Sequence, residues 1–323
     1  MSKPKIGIYW TASCGGCDET IVDVGEFILD IVAAVDIVFW PVAMDFKKRD
    51  VEDLDDGELA VVFFNGSIRN DESLEMAQLL RRKCQVMIAF GSCAHMGGIP
   101  ALANQKTKEG ILERVYITSQ STGNTEGTIP MVSSTHEGYE LELPNLWNTV
   151  RALDEVIEVD YYMPGCPPTS QNVIDAVKAI LAGELPAKGS VLAPDSAQCD
   201  FCPRKETKPG KIQLKEFKRI WQIIDNGDCF LAQGVVCMGP ATRSGCEAQC
   251  INANNACRGC YGPPSRVLDQ GAKFLSALAS TIDSDDEEEI KTLVDSIVDP
   301  LGTFYRFGMS HALIKRAKIG DIS

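Results

Sequence analysis

The stretch Lys5-Ile-Gly-Ile-Tyr-Trp10-Thr-Ala-Ser-Cys14-Gly-Gly-Cys17 decides the fold of this 323-residue chain. Its first six residues are an apolar, strand-like run, and it ends in two cysteines separated by two glycines. Residues 18–34 follow with the apolar spacing of a helix. A strand that leads through a short loop into a helix is the repeating unit of a parallel α/β sheet, so the sequence predicts that architecture from its first turn.

The same alternation of strands and helices continues through the first 185 residues. Further strands are predicted over residues 36–42, 59–64, 85–90 and 155–161. Continuous apolar runs of this kind are typical of parallel strands buried on both faces. Further helices are predicted over residues 71–83 and 171–182. The pattern predicts an α/β fold in which residues 1–185 form a flavodoxin-like, doubly wound parallel sheet.

Cysteines follow three of these predicted strands. Beyond Cys14 and Cys17, Cys93 lies in Gly91-Ser-Cys93 and Cys166 lies in Pro164-Gly-Cys-Pro-Pro168. Ligands of doubly wound sheets bind outside the carboxyl ends of the strands, so these cysteines are expected at one edge of the sheet. We call Cys14, Cys17, Cys93 and Cys166 the first set.

The remaining chain has a different character. Residues 186–265 are rich in Cys, Gly and Pro, and eight cysteines lie in the 62 residues from Cys199 to Cys260. Helical spacing is confined to residues 214–224, 265–280 and 287–298. So irregular a segment has little core of its own, and bound metal can supply the missing stability. We therefore predict a smaller, irregular and partly helical metal-binding domain over residues 186–323.

Charge and the N-terminal sequence limit the possible functions. The net charge is 31 − 45 = −14, which argues against nucleic acid as a partner because nucleic-acid ligands need a positive surface. No apolar run is long enough to span a bilayer, and Met1-Ser-Lys-Pro-Lys-Ile has no signal-peptide character. We expect a cytoplasmic protein, in which paired cysteines are more often metal ligands than disulfides. Four thiolates at one site can hold zinc or an iron–sulfur cluster.

The motifs resemble those of a known family. The first set, with Gly97-Gly-Ile-Pro100 after Cys93, is similar to the small subunit of [NiFe] hydrogenases. Cys237-Met-Gly-Pro and Cys257-Arg-Gly-Cys260 extend the resemblance through the second domain. The pattern is most similar to the F420-non-reducing (methyl-viologen-reducing) type, which works with heterodisulfide reductase in methanogens and some bacteria.

The resemblance implies three [4Fe–4S] clusters. A proximal cluster would be held by the first set. A medial cluster would be held by the medial set, which is Cys246, Cys250, Cys257 and Cys260. A distal cluster would be held by the distal set, which is Cys199, Cys202, Cys229 and Cys237. The distribution of Cys237 and Cys250 between these two sites stays open. Cys250 as a fourth ligand implies a [4Fe–4S] rather than a [3Fe–4S] medial cluster.

The resemblance also implies the role of the chain. Electrons from H2 oxidation at a Ni–Fe centre in a separate large subunit would pass through the three clusters to an acceptor linked to heterodisulfide reductase. A large subunit carries Asp-Pro-Cys-x2-Cys, whereas Asp299-Pro300 is followed here by Leu301. We therefore expect no catalytic residue in this chain.

Two other functions are considered. One is the quinone-linked iron–sulfur subunit of complex I, against which Cys14-x2-Cys17 and the second domain both argue. The other is a zinc-stabilised scaffold, since Cys199-x2-Cys202 and Cys257-x2-Cys260 have zinc-ribbon spacing. Cys84 matches no set and is predicted to be a core residue. His95 either tunes the proximal cluster or has a structural role, and Glu19 is either a first-turn helix acid or a proton carrier.

Overall fold

The computed structural model describes residues 3–314. Its strands are β1 Lys5–Trp10, β2 Asp36–Phe39, β3 Leu59–Asn65, β4 Ile68–Asn70, β5 Cys84–Phe90, β6 Ser133–His136, β7 Tyr139–Glu142, β8 Leu146–Arg151 and β9 Tyr161–Met163.

The α-helices are short, and many turns are 3-10 helical. The α-helices are α1 Gly16–Val22, α2 Phe27–Ala34, α3 Lys48–Glu52, α4 Asp71–Lys83, α5 Gly91–Met96, α6 Lys108–Leu112, α7 Ser170–Ala182, α8 Gln249–Asn252, α9 Gln270–Ala279, α10 Glu287–Asp295 and α11 Pro300–Phe304. Single 3-10 segments lie at Ile99–Gln105, Leu153–Glu155, Gln198–Phe201, Lys205–Thr207, Ile220–Gln222, Gly239–Ala241 and Met309–His311, and a π-helical turn lies at Glu113–Ile117. Within residues 3–314, no helix combines the length and apolar character needed to cross a bilayer.

Five strands form one parallel sheet in the order β2-β1-β3-β5-β9. Counting only its own strands, the order is 2-1-3-4-5, as in flavodoxin-like folds. The predicted α/β class and doubly wound sheet are therefore confirmed. Outside this sheet, β4 pairs with β8, and β6 and β7 form a hairpin.

Both faces of the sheet are buried because alternate residues of each strand point to opposite sides. On β3, Val61 and Phe63 pack into a core with residues of α1, α2 and α7. Val62 and Phe64 pack into a second core with residues of α3 and α4. A strand that is apolar at every position therefore suits this central place in the sheet, and the two cores hold its carboxyl edge rigid.

A third core lies mainly in the later part of the chain, around Phe274 and Phe304. Ala101 and Val150 from the earlier part also belong to it. Residues from both sides of position 185 thus share one core, and the division into domains 1–185 and 186–323 stays a prediction.

The end of the described chain returns to the loop after Cys93. The Gly98 N–H donates to the Phe307 carbonyl (3.0 Å), and the Ser310 hydroxyl donates to the Val150 carbonyl (2.9 Å). A Cβ on Gly97 would lie 2.2 Å from Ser310 Oγ, so this glycine allows the close approach. The loop beside Cys93 is therefore supported by residues more than 200 positions later.

The helix predicted over residues 214–224 is wrong. Leu214 forms a parallel bridge with Ile282, and its N–H donates to the Thr281 carbonyl (2.7 Å). The Lys218 N–H donates to the Gly234 carbonyl (2.9 Å), and only Ile220–Gln222 is 3-10 helical. Pairing with distant backbone replaces the local helix here, which apolar spacing alone does not reveal.

Two predicted segments are shorter than expected. The helix over residues 18–34 is divided into α1 and α2 at Gly25, whose φ of +64° no helix adopts. The strand over residues 155–161 begins only at Tyr161, because Leu153–Glu155 forms a 3-10 turn. The helix predicted over residues 171–182 is confirmed, with Thr169 as its N-cap and Gly183 at its end.

Candidate functional site

The structure brings the first set to the carboxyl edge of the sheet. Cys14 and Cys17 follow β1, with Cys17 inside α1. Cys93 lies in α5, directly after β5, and Cys166 follows β9. Because the three strands are parallel, their carboxyl ends point the same way and the four cysteines converge from distant parts of the sequence.

The sulfur atoms of the first set are close enough to interact electrostatically. Burial raises the pKa of the Cys17 thiol, and the sulfurs of Cys93, Cys166 and Cys14 raise it further. Burial likewise raises the pKa of Cys93 to about 12, with added contributions from Cys166 and Cys14. Four thiols grouped in this way deprotonate readily only when a cation binds among them.

Glycines give the sulfurs the room they occupy. A Cβ on Gly91 would lie 2.2 Å from Cys17 Sγ, and a Cβ on Gly98 would lie 2.6 Å from Cys93 Sγ. Both residues have positive φ, +83° and +56° respectively. Only glycine meets both requirements without strain, so the backbone is shaped around these sulfurs.

The distal set lines a single small cavity. Burial raises the pKa of the Cys199 thiol to about 12, and the neighbouring Cys237 sulfur contributes next. A Cβ on Gly239 would lie 3.1 Å from Cys199 Sγ, so glycine again allows close approach. The cavity is lined by Gln198, Cys199, Cys202, Arg204, Cys229, Phe230, Cys237, Gly239 and Ile251.

Arg204 closes one side of the distal set. Its guanidinium group stacks on Phe230 at 3.9 Å from the ring centroid and forms two 2.6 Å hydrogen bonds to the Asp225 carboxylate. Its backbone N–H donates to Cys202 Sγ (3.4 Å). Asp225 raises the pKa of Arg204, which therefore stays a fixed cation beside the sulfurs.

The medial set lies between the other two. Burial raises the pKa of the Cys260 thiol to about 12, followed by contributions from Cys246, Cys250 and Cys166. Burial also raises the pKa of Cys257 strongly, followed by contributions from Cys237 and Cys260. Cys250 is the one exposed member of the medial set.

Adjacent sets meet through one cysteine of each. Cys260 of the medial set interacts with Cys166 of the first set, and Cys257 interacts with Cys237 of the distal set. The Ser92 hydroxyl lies 2.5 Å from the Cys260 carbonyl oxygen and 2.8 Å from the Gly165 carbonyl oxygen. The medial set therefore has neighbours in both of the other sets.

Tyr261 joins the medial set to the loop that carries Cys166. Its hydroxyl donates to Asn172 Oδ1 (2.5 Å) and accepts from the Thr169 N–H (3.2 Å). Tyr261 is fully buried. Sequence reasoning missed Tyr261, Ser92 and Arg204, and the only signal was that each lies within two residues of a cysteine.

All thirteen cysteines lie within the described residues, and all are free thiols. In residues 3–314, no three or more His, Cys, Asp or Glu side chains converge so as to hold a single metal ion. The partly buried sulfurs, the glycines against them and the small distal cavity lined by four cysteines suit a larger group with four thiolate ligands, as an iron–sulfur cluster has.

Three residues singled out in the sequence, Cys84, His95 and Glu19, lie outside the three cysteine sets. Cys84 opens β5 and is buried in the core with α4, as predicted. His95 is buried against Tyr162, with ring centroids 4.8 Å apart, and burial lowers its pKa to about 3, so it is neutral. His95 Nδ1 has no hydrogen-bond partner among the described residues. Glu19 lies in the first turn of α1, where a carboxylate favours the helix N-terminus.

Comparisons with known proteins identify the family. Residues 14–180 match the family model of the NADH ubiquinone oxidoreductase 20 kDa subunit. The chain is 41% identical over 319 residues to a subunit of the F420-non-reducing hydrogenase of Methanothermobacter thermautotrophicus, covering 97% of this chain and 96% of the relative. This chain belongs to the small subunits of the F420-non-reducing hydrogenases.

Other similarities agree with this family. The iron–sulfur subunit of the F420-non-reducing hydrogenase of Archaeoglobus profundus is 38% identical over 316 residues, covering 97% of this chain and 98% of the relative. The fold is similar to a chain of the [NiFeSe] hydrogenase from Desulfovibrio vulgaris Hildenborough, with a TM-score of 0.52 at 18% identity, covering 82% and 95% of the two chains.

As a member of this family, the chain is the small subunit of a [NiFe] hydrogenase and has an electron-transfer role. The Archaeoglobus profundus relative is named as an iron–sulfur subunit. The predicted family and enzyme class are confirmed.

Proposed function

We propose that this hydrogenase subunit conducts electrons through three [4Fe–4S] clusters, held by the first, medial and distal sets. The observation that supports this proposal most is that hydrogen bonds join the cysteine loops: the Ser92 hydroxyl lies 2.5 Å from the Cys260 carbonyl oxygen, and the Met238 N–H donates to the Cys257 carbonyl (2.9 Å). When bound, the clusters supply reversible one-electron chemistry.

The residues of the chain have four tasks in this function. The twelve thiolates ligate iron, and the glycines at positions 91, 98 and 239 admit backbone close to the sulfurs. Burial of Cys17, Cys93, Cys237 and Cys257 limits the access of water to the sulfurs, which lowers the local dielectric and tunes the clusters. Arg204 adds a fixed positive charge beside the distal set.

The electron donor is the Ni–Fe centre of the large subunit, where H2 is oxidised. The acceptor that we propose is a protein linked to heterodisulfide reductase, and the complex is cytoplasmic. The relatives that match over nearly the full length are F420-non-reducing hydrogenase subunits, and the choice of acceptor rests on the resemblance of the cysteine motifs to the type that works with heterodisulfide reductase.

Metal and sulfide analysis of the anaerobically purified complex tests the cluster count. Three cubanes require about twelve irons and about twelve acid-labile sulfides in this chain, beyond the iron of the large subunit. Zinc without sulfide would refute the redox function in favour of a zinc-stabilised scaffold. Purification of the native complex and identification of its other chains tests the acceptor, and a complex without heterodisulfide reductase components would refute that part.

A further inference from the structure

A cavity of about 480 Å³ opens near the medial and distal sets. Its charged lining residues are all cations, namely Lys218, Arg219, Arg258 and Arg306, and none of the described residues that line it is Asp or Glu. The whole chain has 45 acidic residues against 31 Lys and Arg. A cavity with only cationic charges is therefore a local reversal of the charge of this protein.

Few negatively charged groups compensate the positive charges of Arg219, Arg258 and Arg306. Burial lowers the pKa of Arg306, and the charge of Arg258 lowers it further, with Asp299 opposing and Arg219 adding to the effect. Among the described residues, the Arg306 side chain donates only to the Gly302 carbonyl (2.9 Å). The guanidinium groups of Arg219 and Arg258 form no hydrogen bond or ion pair with any residue in the range 3–314, whereas Lys218 pairs with Glu216 (2.7 Å). Repelling cations held together are stabilised when an anion binds among them.

The surroundings of the cavity suit a protein partner. Trp221 is 75% exposed and lies against Arg219, whose guanidinium carbon is 5.6 Å from the ring centroid. Ile224 and Val298 are also exposed nearby in the chain segments that line the cavity. Exposed apolar side chains with Trp and Arg are typical of the centres of protein interfaces.

The floor of the cavity reaches the cysteine sets. Cys257 and Met238 both line it, and Cys257 is the medial residue that interacts with Cys237 of the distal set. A partner seated on the arginines would therefore lie next to the junction of the medial and distal sets.

We propose that Arg219, Arg258 and Arg306 form the docking site for an acidic electron-carrier protein, whose carboxylates enter this cavity. The proposal rests on the proposed electron-transfer function and adds the charge and place of the acceptor. Oxidation of one H2 in the large subunit releases two protons and two electrons, so two one-electron carriers are reduced in turn. Because the chain has a net charge of −14, its overall field disfavours an acidic protein, and a cavity with only cationic side chains favours docking there.

The test uses the anaerobically purified complex of large and small subunits under H2. A plant-type [2Fe–2S] ferredoxin is the acidic one-electron probe, and methyl viologen, a small cation, is the comparison acceptor. The double variant Arg219→Gln/Arg306→Gln is compared with wild type and with Arg82→Gln, an exposed arginine on α4. Arg258 is left intact because it adjoins Cys257.

We expect the double variant to raise KM for ferredoxin about tenfold at low salt, since rim charges chiefly control encounter. In wild type, KM should rise with ionic strength, and in the double variant this dependence should be nearly lost. Arg82→Gln should match wild type with ferredoxin. Relative to wild type, only the double variant should lose more of its rate with ferredoxin than of its rate with methyl viologen.

The docking proposal is overturned if the wild-type complex does not reduce ferredoxin, or if the double variant has the wild-type KM and salt dependence. An equal effect of Arg82→Gln would also overturn it, because net charge alone would then explain the change. Saturable binding of pyrophosphate, with an unchanged ferredoxin KM in the double variant, would assign the cavity to a phosphorylated small molecule instead. Failure of the proposed electron-transfer function would be detected separately, as low iron content and absent methyl viologen reduction in the wild-type complex.

Discussion

The Ser92 hydroxyl lies 2.5 Å from the backbone carbonyl oxygen of Cys260, 168 residues away in the sequence. The same hydroxyl and the Ser92 N–H both reach the Gly165 carbonyl, at 2.8 and 2.7 Å. Ser92 immediately precedes Cys93, and Gly165 immediately precedes Cys166. One small side chain therefore sets the position of the medial set against the first set.

Ser92→Ala should lower the stability of the loaded protein by about 1 kcal/mol, because it removes a buried hydrogen-bond donor from two carbonyls. The measurement is the thermal unfolding midpoint under anaerobic conditions. Ser280→Ala is the matched control, since that exposed hydroxyl bonds only the local Ala277 carbonyl. Equal midpoints for the two variants would show that the Ser92 contact contributes nothing specific.

Gly91→Ala should prevent assembly of the proximal cluster. Its Cβ would lie 2.2 Å from Cys17 Sγ, and the backbone there cannot move without shifting α5. Gly57→Ala is the control: its φ of +76° is similar to the +83° of Gly91, but no atom lies within 4 Å of its Cβ. Both changes should cost about 1–2 kcal/mol of backbone strain.

Only Gly91→Ala should also lose about four irons per chain, the content of one cubane. Iron analysis and EPR of the reduced proteins distinguish the two variants. Full iron content in Gly91→Ala would contradict a cluster at the first set.

Cys250→Ala should convert the medial cluster from [4Fe–4S] to [3Fe–4S]. Cys250 is the exposed member of the medial set, so its removal leaves buried Cys257 and half-buried Cys246 and Cys260 in place as ligands. EPR of the oxidised complex gives the cluster type. Cys84→Ala is the control, because Cys84 is a buried thiol of the core with α4, and its spectrum should be unchanged. A wild-type spectrum for Cys250→Ala would exclude this thiol as a ligand.

Asp160→Asn should loosen the strand that leads to Cys166. The buried Asp160 carboxylate accepts hydrogen bonds from Arg81 (2.8 Å), Lys188 (2.6 Å) and the Met87 N–H of β5 (2.8 Å). Removing the charge leaves Arg81 without its buried partner, and the loss of stability at neutral pH should be about 3 kcal/mol. Asp45→Asn, in an exposed pair with Lys47, should cost less than about 1 kcal/mol.

The effect of Asp160→Asn should also depend on pH. Burial alone raises the pKa of Asp160, but its hydrogen bonds with Lys188, Met87 and Arg81 outweigh burial and hold it below its usual value. A carboxyl group whose pKa is lowered on folding stabilises the protein at pH values above its unfolded-state pKa of about 3.9. That stabilisation is lost as the pH falls through the lower pKa of the folded state. The free energy of unfolding, measured with urea, should differ between wild type and Asp160→Asn by a constant amount from pH 7 to about 5. That difference should become smaller below pH 4. A difference independent of pH would contradict the role of the carboxylate.

Much of the fold could be predicted because its strands are apolar at nearly every position. Residues 59–64 and 85–90 can be read as buried parallel strands without knowing their neighbours, and both are present in the sheet. Residues 214–224 have similar local signals for a helix, yet Leu214 and Lys218 pair with Thr281 and Gly234. Such pairing depends on where distant segments arrive, which local spacing does not encode.

The convergence of the first set could be predicted because strand ends of a parallel sheet share an edge. The series of three sets is implied only by the family resemblance and not by local spacing, because it depends on how Cys166 lies relative to Cys260 and Cys237 relative to Cys257. These relative positions arise from the docking of one part of the fold on another. Arg204 and Tyr261 are ordinary by residue type and acquire their roles only from that docking.

The hydrogen bond from Gly98 to the Phe307 carbonyl has a consequence for biosynthesis. The cysteines of the first set emerge early from the ribosome, but the loop beside Cys93 receives this partner only after residue 307 has been made. A nascent chain shorter than 307 residues therefore lacks this backbone support beside Cys93, although all four cysteines of the first set have already been made. The sulfur site that is encoded first is completed by a segment that is encoded much later.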